Sequence, residues 1–307
     1  MDRPFSFSDE PEFLIISAEE EEIRIDKLLA TRYPQYSRTY FQYLIDKGCV
    51  LLNGEPIKKR EIPEEGDEIE VCFQATPEAS LQPENIPLDI LYEDNHLLVV
   101  NKPAGIATMG VTDDEPSVAK LAKDYLKAKY NKPGNVYLGI VSRLDALVSG
   151  VLVFARTSKA AARLSEQFRE RETSKIYWAV VERLPRTASD HLVHWLKKDE
   201  RQQRMVVTAP QAAGAQQAEL RYRPLQSLAA GQLLEIELLT GRKHQIRLQL
   251  ATVGAPILGD RKYGSERPFP SGIALHARRL TLQHPVQKQT VEILAPLPAS
   301  WNKLGIV

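Results

Sequence analysis

Apolar positions recur with two different periods along this chain, and the change of period marks out its elements. In RIDKLLATRY, Ile25, Leu28, Leu29 and Tyr33 fall on one face of a helix. Pro34 stops that helix, and Ser37 is placed to cap the next one, SRTYFQYLIDK, whose Tyr40, Phe41, Leu44 and Ile45 turn inward. Gly48 is the expected terminator. CVLLNGEPI then reads as strand, Asn53-Gly54 turn and strand, and 67–73 as a further strand. Two short helices and a small sheet make an αα-β module over 13–74.

QATPEASLQPENIP is polar and proline-bearing, which predicts a linker at 75–87. Beyond it, LDILYEDNHLLVVNKPAG reads as strand, turn, strand and a sharp exit. An amphipathic helix is predicted over 116–130, and VLVFART reads as a buried strand. A helix begun by Ser158 follows, then the strand KIYWAVVER. ELRYRPLQSLAAGQLLEIELLTG has the pattern of a hairpin, and RKHQIRLQLATVG that of a helix ending at Gly254. ALHARRLTLQHP and TVEILAPLP supply the last strands. Strands and helices do not alternate regularly. The expected class is therefore α+β, with a mostly antiparallel mixed sheet in a large domain over 88–307.

Composition changes this picture little. The 307 residues carry zero formal net charge and two cysteines, Cys49 and Cys72. Two thiols without CxxC spacing point to neither a zinc site nor a disulfide framework, and suit a reducing cytoplasm. The longest apolar runs are strand-sized, so no membrane span is expected. Charge is unevenly spread. Acids dominate 1–22, with an acidic tail at 1–12, whereas 24–60 is rich in bases. Arg38 on the second helix and Lys58, Lys59 and Arg60 after the hairpin could hold phosphates, or could be an ordinary solvated face.

Chemistry-bearing residues concentrate in three places. NKPAG sets Lys102 between a strand and a tight turn. VSRLDALVSG brings Arg143 and Asp145 to the mouth of the buried strand. LLTGRKHQIRLQL gathers Arg242, Lys243, His244, Gln245 and Arg247 after a strand-ending Thr-Gly, with His244 and Arg247 as i, i+3 neighbours on a helix. An Arg beside an Asp is more often a surface ion pair than an active site. His191 and His194 in HLVH have i, i+3 spacing but no nearby acid or thiol, so no metal site is expected. P-loop, GxGxxG, GxSxG and HExxH motifs are absent.

Taken in order, these segments resemble the RluA-type pseudouridine synthases over about 220 residues. IPLDILYEDNHLLVVNKPAG is similar to that family's opening segment, and SRLDALVSGVLVFART to its hallmark H-R-L-D-x-x-T-S-G. KIYWAVV is similar to the segment that brings the family's active-site tyrosine. LLTGRKHQIRLQLATVGAPILGDRKYG and IALHARRLTLQHP resemble the last two segments. The N-terminal module resembles the small alpha-L RNA-binding fold named for a ribosomal protein.

The resemblance implies an RNA-modifying isomerase. Asp145 would be its essential carboxylate, Arg143 would displace the target base, Tyr177 would pack on the flipped uracil, and Arg247 would pair with Asp145. Lys102, Arg242, Lys243, His244 and Gln245 would contact substrate. Converting uridine to pseudouridine moves one bond from ring nitrogen to ring carbon without redox change, so no cofactor and no metal are expected. The implied partner is RNA, ribosomal rather than transfer RNA; the sequence does not fix the oligomeric state, and a monomer is favoured. Ser142 stands where the family has His, Ala146 where a basic residue is common, and Val148 where it has Thr. These departures bear on substrate identity. A ribosome-assembly factor that kept the fold without the chemistry, and a synthase acting on transfer RNA, remain alternatives.

Overall fold

A computed structural model describes residues 11–33, 38–73, 88–110, 116–131, 136–185, 187 and 189–306. Most of the acidic tail, Ser37 as a cap and the linker all lie outside the described residues. The chain divides into two compact units, 1–86 and 87–307.

In the first unit, β1 (Glu12–Ile15) precedes α1 (Ile25–Arg32), α2 (Arg38–Asp46), β2 (Val50–Leu52), β3 (Glu55–Pro56) and β4 (Glu68–Val71). The sheet order is β1-β4-β2-β3, antiparallel throughout. Only β1 was not anticipated by the sequence pattern. Ile25, Leu28 and Leu29 of α1 pack with Phe41 and Leu44 of α2 over Val50, Ile69 and Val71. Asn53 (φ 50°) and Gly54 (φ 82°) both take the left-handed conformation required by a two-residue hairpin turn.

The second unit is built on one large sheet. Its strands are β5 (Ile90–Glu93), β6 (Leu97–Lys102), β7 (Gly139–Ile140), β8 (Ser149–Ala155), β9 (Ser174–Val181), β10 (Asp190–Asp199), β11 (Arg204–Thr208), β12 (Gln216–Leu228), β13 (Gly231–Leu238), β14 (Leu275–Gln283) and β15 (Thr290–Leu294). The order is β11-β10-β12-β13-β9-β14-β8-β6-β5, with β15 beside β14 and β7 beside β8. The β14–β8 pairing is parallel and the other pairings described are antiparallel. The expected α+β class with a mostly antiparallel mixed sheet is what the chain forms.

Three helices attend the sheet: α3 (Val118–Lys129), α4 (Ser158–Arg169) and α5 (Gln245–Thr252). Helix α4 begins at Ser158, as expected, and Thr157 caps it, accepting from the Ala160 amide at 3.2 Å. Helix α5 starts later than the pattern implied, at Gln245, so Arg242, Lys243 and His244 belong to the approach and not to the helix. Val148 and Ile246 share the main core with Val180, Leu234, Ile236 and Leu250.

Strands β10 and β11 were not read from the sequence, and they settle HLVH. On β10, residues three apart project to opposite faces. His191 faces Glu219 (3.5 Å), whereas Nδ1 of His194 meets Nε2 of Gln249 (3.1 Å). Among the described residues no cluster of His, Cys, Asp or Glu is arranged to hold a metal ion, and no helix is long and apolar enough to cross a membrane.

Candidate active site

The segment 141–148 enters the centre of the sheet as a tight loop. Two anchors hold it from behind. Thr108 brackets Leu144, its hydroxyl accepting from the Leu144 amide (3.0 Å) and donating to the Leu144 carbonyl (2.8 Å). Lys102 donates from Nζ to the carbonyls of Pro103 (2.8 Å), Ile106 (2.7 Å) and Ala146 (3.1 Å). Lys102 is fully buried, and burial pulls its ammonium down to about 7, against the opposing pull of Asp145. The expectation that Lys102 contacts substrate is corrected here. It stitches the NKPAG turn to the loop that carries Asp145.

The end of the loop explains the Ser-Gly of VSGVL. The Ser149 hydroxyl lies 2.9 Å from Nδ1 of buried His276 on β14. Gly150 has φ +114°, and a Cβ there would fall 2.3 Å from the Ala277 carbonyl oxygen. A side chain would thus push β14 off β8 at their parallel junction. Val148, where the resembled family has Thr, is buried in the main core among apolar side chains. Ala146 is exposed, and Ser142 lines the cleft described next.

That cleft encloses about 460 Å³ over the sheet. Asp145, Arg143, Tyr177, Arg242, His244, Gln245 and Arg247 all line it. Arg247 projects from the first turn of α5 and donates from one terminal nitrogen to Asp145 Oδ2 at 3.1 Å. Its Nε and other terminal nitrogen make a fork–fork pair with Asp260, at 2.7 and 2.8 Å. Arg247 and Asp260 are buried, but the Asp145 side chain keeps 27% of its exposure. Burial would lower the guanidinium's affinity for its proton. The two carboxylates outweigh that and hold Arg247 firmly charged. The Tyr263 ring lies under the guanidinium at 5.1 Å.

His244 occupies a left-handed backbone position (φ 54°) just before α5. Its Nδ1 is 2.8 Å from the Tyr263 hydroxyl, and its Nε2 is 3.7 Å from Asp145 Oδ2. Burial lowers it to about 4, Asp145 pulling the other way, so the ring is neutral near pH 7. The Tyr263 oxygen already accepts from the Met205 amide (3.3 Å), which leaves its proton to donate to Nδ1. The remaining imidazole proton then sits on Nε2, toward Asp145. Tyr177, on β9 opposite Ala277, has its phenol raised above the ordinary range by burial and by the charge of Asp145, so it keeps its proton.

The remaining candidates separate. Arg143 is exposed on the cleft and has no ion pair or hydrogen bond to another described residue, so Asp145 pairs with the distant Arg247 and not with the Arg beside it. Arg242 lines the cleft while its Nε donates to the Gln217 carbonyl (3.1 Å). Gln245 is buried. It accepts from Thr240 (2.7 Å) and the Arg242 amide (2.9 Å) and donates to the Glu219 carbonyl (2.9 Å), so it braces the loop and its polar atoms are not open to substrate. Lys243 points to solvent outside the cleft. Asp260 and Tyr263 were missed, although both lie in GDRKYG, inside a segment already singled out. An acid and an aromatic in a loop carry no pattern of their own.

In the N-terminal unit, Arg38 is not a free cation. It pairs with the buried Asp26 (3.0 Å), which Arg24 (3.0 Å) and Gln42 (2.6 Å) also reach. Lys59 pairs with Asp46 (2.5 Å). Lys58 and Arg60 are exposed.

Residues 96–252 match the RNA pseudouridylate synthase family model, and 23–69 match the S4 domain. A ribosomal large subunit pseudouridine synthase D of Xylella fastidiosa is 36% identical over 294 residues, covering 90% of this chain and 86% of that protein. An uncharacterised RNA pseudouridine synthase of Synechocystis is 33% identical, covering 92% and 88%. Among solved structures, human RNA pseudouridylate synthase domain containing 4 has a TM-score of 0.58 at 26% identity, over 70% of this chain and 92% of that one.

Proposed function

We propose, from the premise that the chain belongs to the RNA pseudouridine synthase family and is an enzyme of that class with an N-terminal S4 domain, that it isomerises a specific uridine in large-subunit ribosomal RNA. The observation that carries this reading is the Asp145–Arg247 pair: a carboxylate, held by a buried guanidinium, open on one side to a cleft that Tyr177 also lines.

The reaction breaks the bond between the ribose and the ring nitrogen and forms one to the ring carbon. The carbon's proton is lost and the nitrogen gains one. Nothing leaves or enters the substrate overall, so the chain's own residues suffice. A carboxylate is needed as nucleophile or base, and Asp145 is the one so placed. Arg247 sets a fixed positive charge beside it when the base excludes water, and His244 adds a neutral N–H toward the same oxygen. A paired uridine must leave its stack to reach this depth, at a cost of a few kcal/mol. Exposed Arg143 at the cleft mouth suits the vacated place in the stack, and the Tyr177 ring suits the extruded base. The large-subunit target is supported by the Xylella fastidiosa relative, a ribosomal large subunit pseudouridine synthase D aligned over 90% of this chain.

The test is pseudouridine formation by the purified full chain on an unmodified large-subunit rRNA transcript, with no added cofactor. One modified position is expected. A transfer RNA transcript modified in its place would overturn the target, and modification of neither would overturn the activity.

A further inference from the structure

The cleft continues beyond Tyr177 toward the end of α4, and its charges there are not balanced. Four cations line this arm. Arg169 is neutralised by Glu170 at 2.9 Å, and Arg279 faces Glu292 at 3.8 Å. Among the described residues, the side chains of Arg171 and Lys175 have no hydrogen-bond or ion-pair partner. Lys175 is half-buried, and the charge that acts on it most is another cation, Arg171. Burial first and that neighbour second pull its ammonium below the ordinary value. Two like charges on a stretch of cleft wall whose lining holds no acid oppose each other and gain nothing for the fold.

Local structure holds them there. Arg171 takes a left-handed conformation (φ 62°) between α4 and β9, a strained choice for a residue with a side chain. The following amide, of Glu172, is tied back to the Gln167 carbonyl at 2.9 Å. Lys175 lies two residues before Tyr177 on β9, so both side chains leave the same face, about 6.6 Å apart along the strand. That reach is comparable with one nucleotide of RNA backbone.

We propose that Arg171 and Lys175 form an anion subsite that holds the phosphodiester next to the target uridine, fixing the strand while the base enters the cleft. The site rests on the synthase reading for the identity of its ligand. An RNA phosphate supplies the missing counter-charge, and the two cations bind it from different elements, the α4–β9 connection and the strand itself. These are positioning residues. They act on the backbone and not on the reacting ring.

The experiment uses the full chain and an unmodified large-subunit rRNA transcript. Affinity is measured across a salt titration, and pseudouridine formation across RNA concentration, for wild type, Lys175→Met, Lys175→Arg and Arg171→Gln. Losing one phosphate contact should flatten the slope of log K against log salt by about 0.7 in Lys175→Met and in Arg171→Gln. The KM for RNA should rise about tenfold, as expected for one lost charged hydrogen bond, and kcat should fall by less. Lys175→Arg should restore both, which a purely structural lysine would not predict. If wild type turns over and Lys175→Met keeps its slope and KM, the subsite is overturned. If wild type binds RNA but modifies nothing, the synthase reading fails, and the slope difference alone decides whether the anion site stands.

Discussion

Two regions of this molecule bury an aspartate against arginine, and they do so with opposite results. In the N-terminal unit Asp26 is fully buried and accepts from Arg24, Arg38 and Gln42. In the cleft Asp260 is buried and grips Arg247 with both oxygens, while Asp145 takes a single bond from the same guanidinium and stays 27% exposed. A buried carboxylate with both oxygens engaged is a fastener. One that is charged but incompletely engaged, and open to a cavity, can act on a substrate. The residue types are the same in both places. Only the count of donors and the access differ.

The sharpest way to break the comparison is to neutralise each aspartate in turn. Asp145→Asn should lower pseudouridine formation by at least about 10³-fold, in line with loss of a residue central to the chemistry. Its melting temperature and RNA affinity should stay near wild type, because the amide still accepts from Arg247. Activity within a few-fold of wild type would show that Asp145 does not carry the reaction.

Arg247→Met should damage both properties. It strands Asp260, a buried acid, without the guanidinium it pairs with, at a cost of roughly 3–5 kcal/mol, and it removes the group that orients Asp145. Thermal unfolding and turnover are measured together. An unchanged melting temperature would show that the Asp260 pair contributes nothing to the fold.

Asp26→Asn should leave turnover on a short stem-loop intact while costing about 2 kcal/mol in the N-terminal unit. The loss is smaller because Arg24 and Arg38 remain 37% and 40% exposed and can return to water. Its pH dependence has a definite sign. Burial alone would raise the Asp26 carboxyl, but the bonds from Arg38 and Gln42 win and hold it below its ordinary 3.8. A depressed folded value gives stability that is present above 3.8 and disappears as the pH falls through the folded value. Denaturant unfolding of wild type and Asp26→Asn should therefore converge in acid and diverge toward neutrality. Parallel curves would deny the pair its role.

The smallest effect concerns His244. With its value near 4, the ring carries no charge change between pH 5 and 8, and kcat/KM should vary by less than about twofold over that window on its account. A step near pH 6.5 that vanishes in His244→Gln would show that the histidine titrates in the working enzyme.

Most elements were legible because they rest on local pattern. The periodicity of Ile25, Leu28 and Leu29 and the Asn53-Gly54 turn needed no partner to be read. Strand β10 escaped because its histidines, lysines and acids blur the alternation until pairing with β12 makes it a strand, and β11 because it is a short strand at the end of the sheet order, paired with β10. The candidate site divides in the same way. Asp145, Arg143, Tyr177 and Arg247 were found through segments that carry them in order. Lys102 and Gln245 were found as residues but misread in role, since nothing local distinguishes a lysine that meets substrate from one surrounded by three carbonyls.

By itself, then, the sequence determined the class of fold, the two-part organisation and the residues available for chemistry. These follow from apolar spacing, turn residues and side-chain type, all of which act over a few positions. What only the tertiary structure decided is which charges meet. Arg247 and Asp145 lie 102 positions apart, and Arg143, two positions from Asp145, is not its partner. Whether a carboxylate is a fastener or a reagent depends on how many donors reach it and how much water is left beside it. Both are properties of packing between distant segments, which no stretch of sequence carries alone.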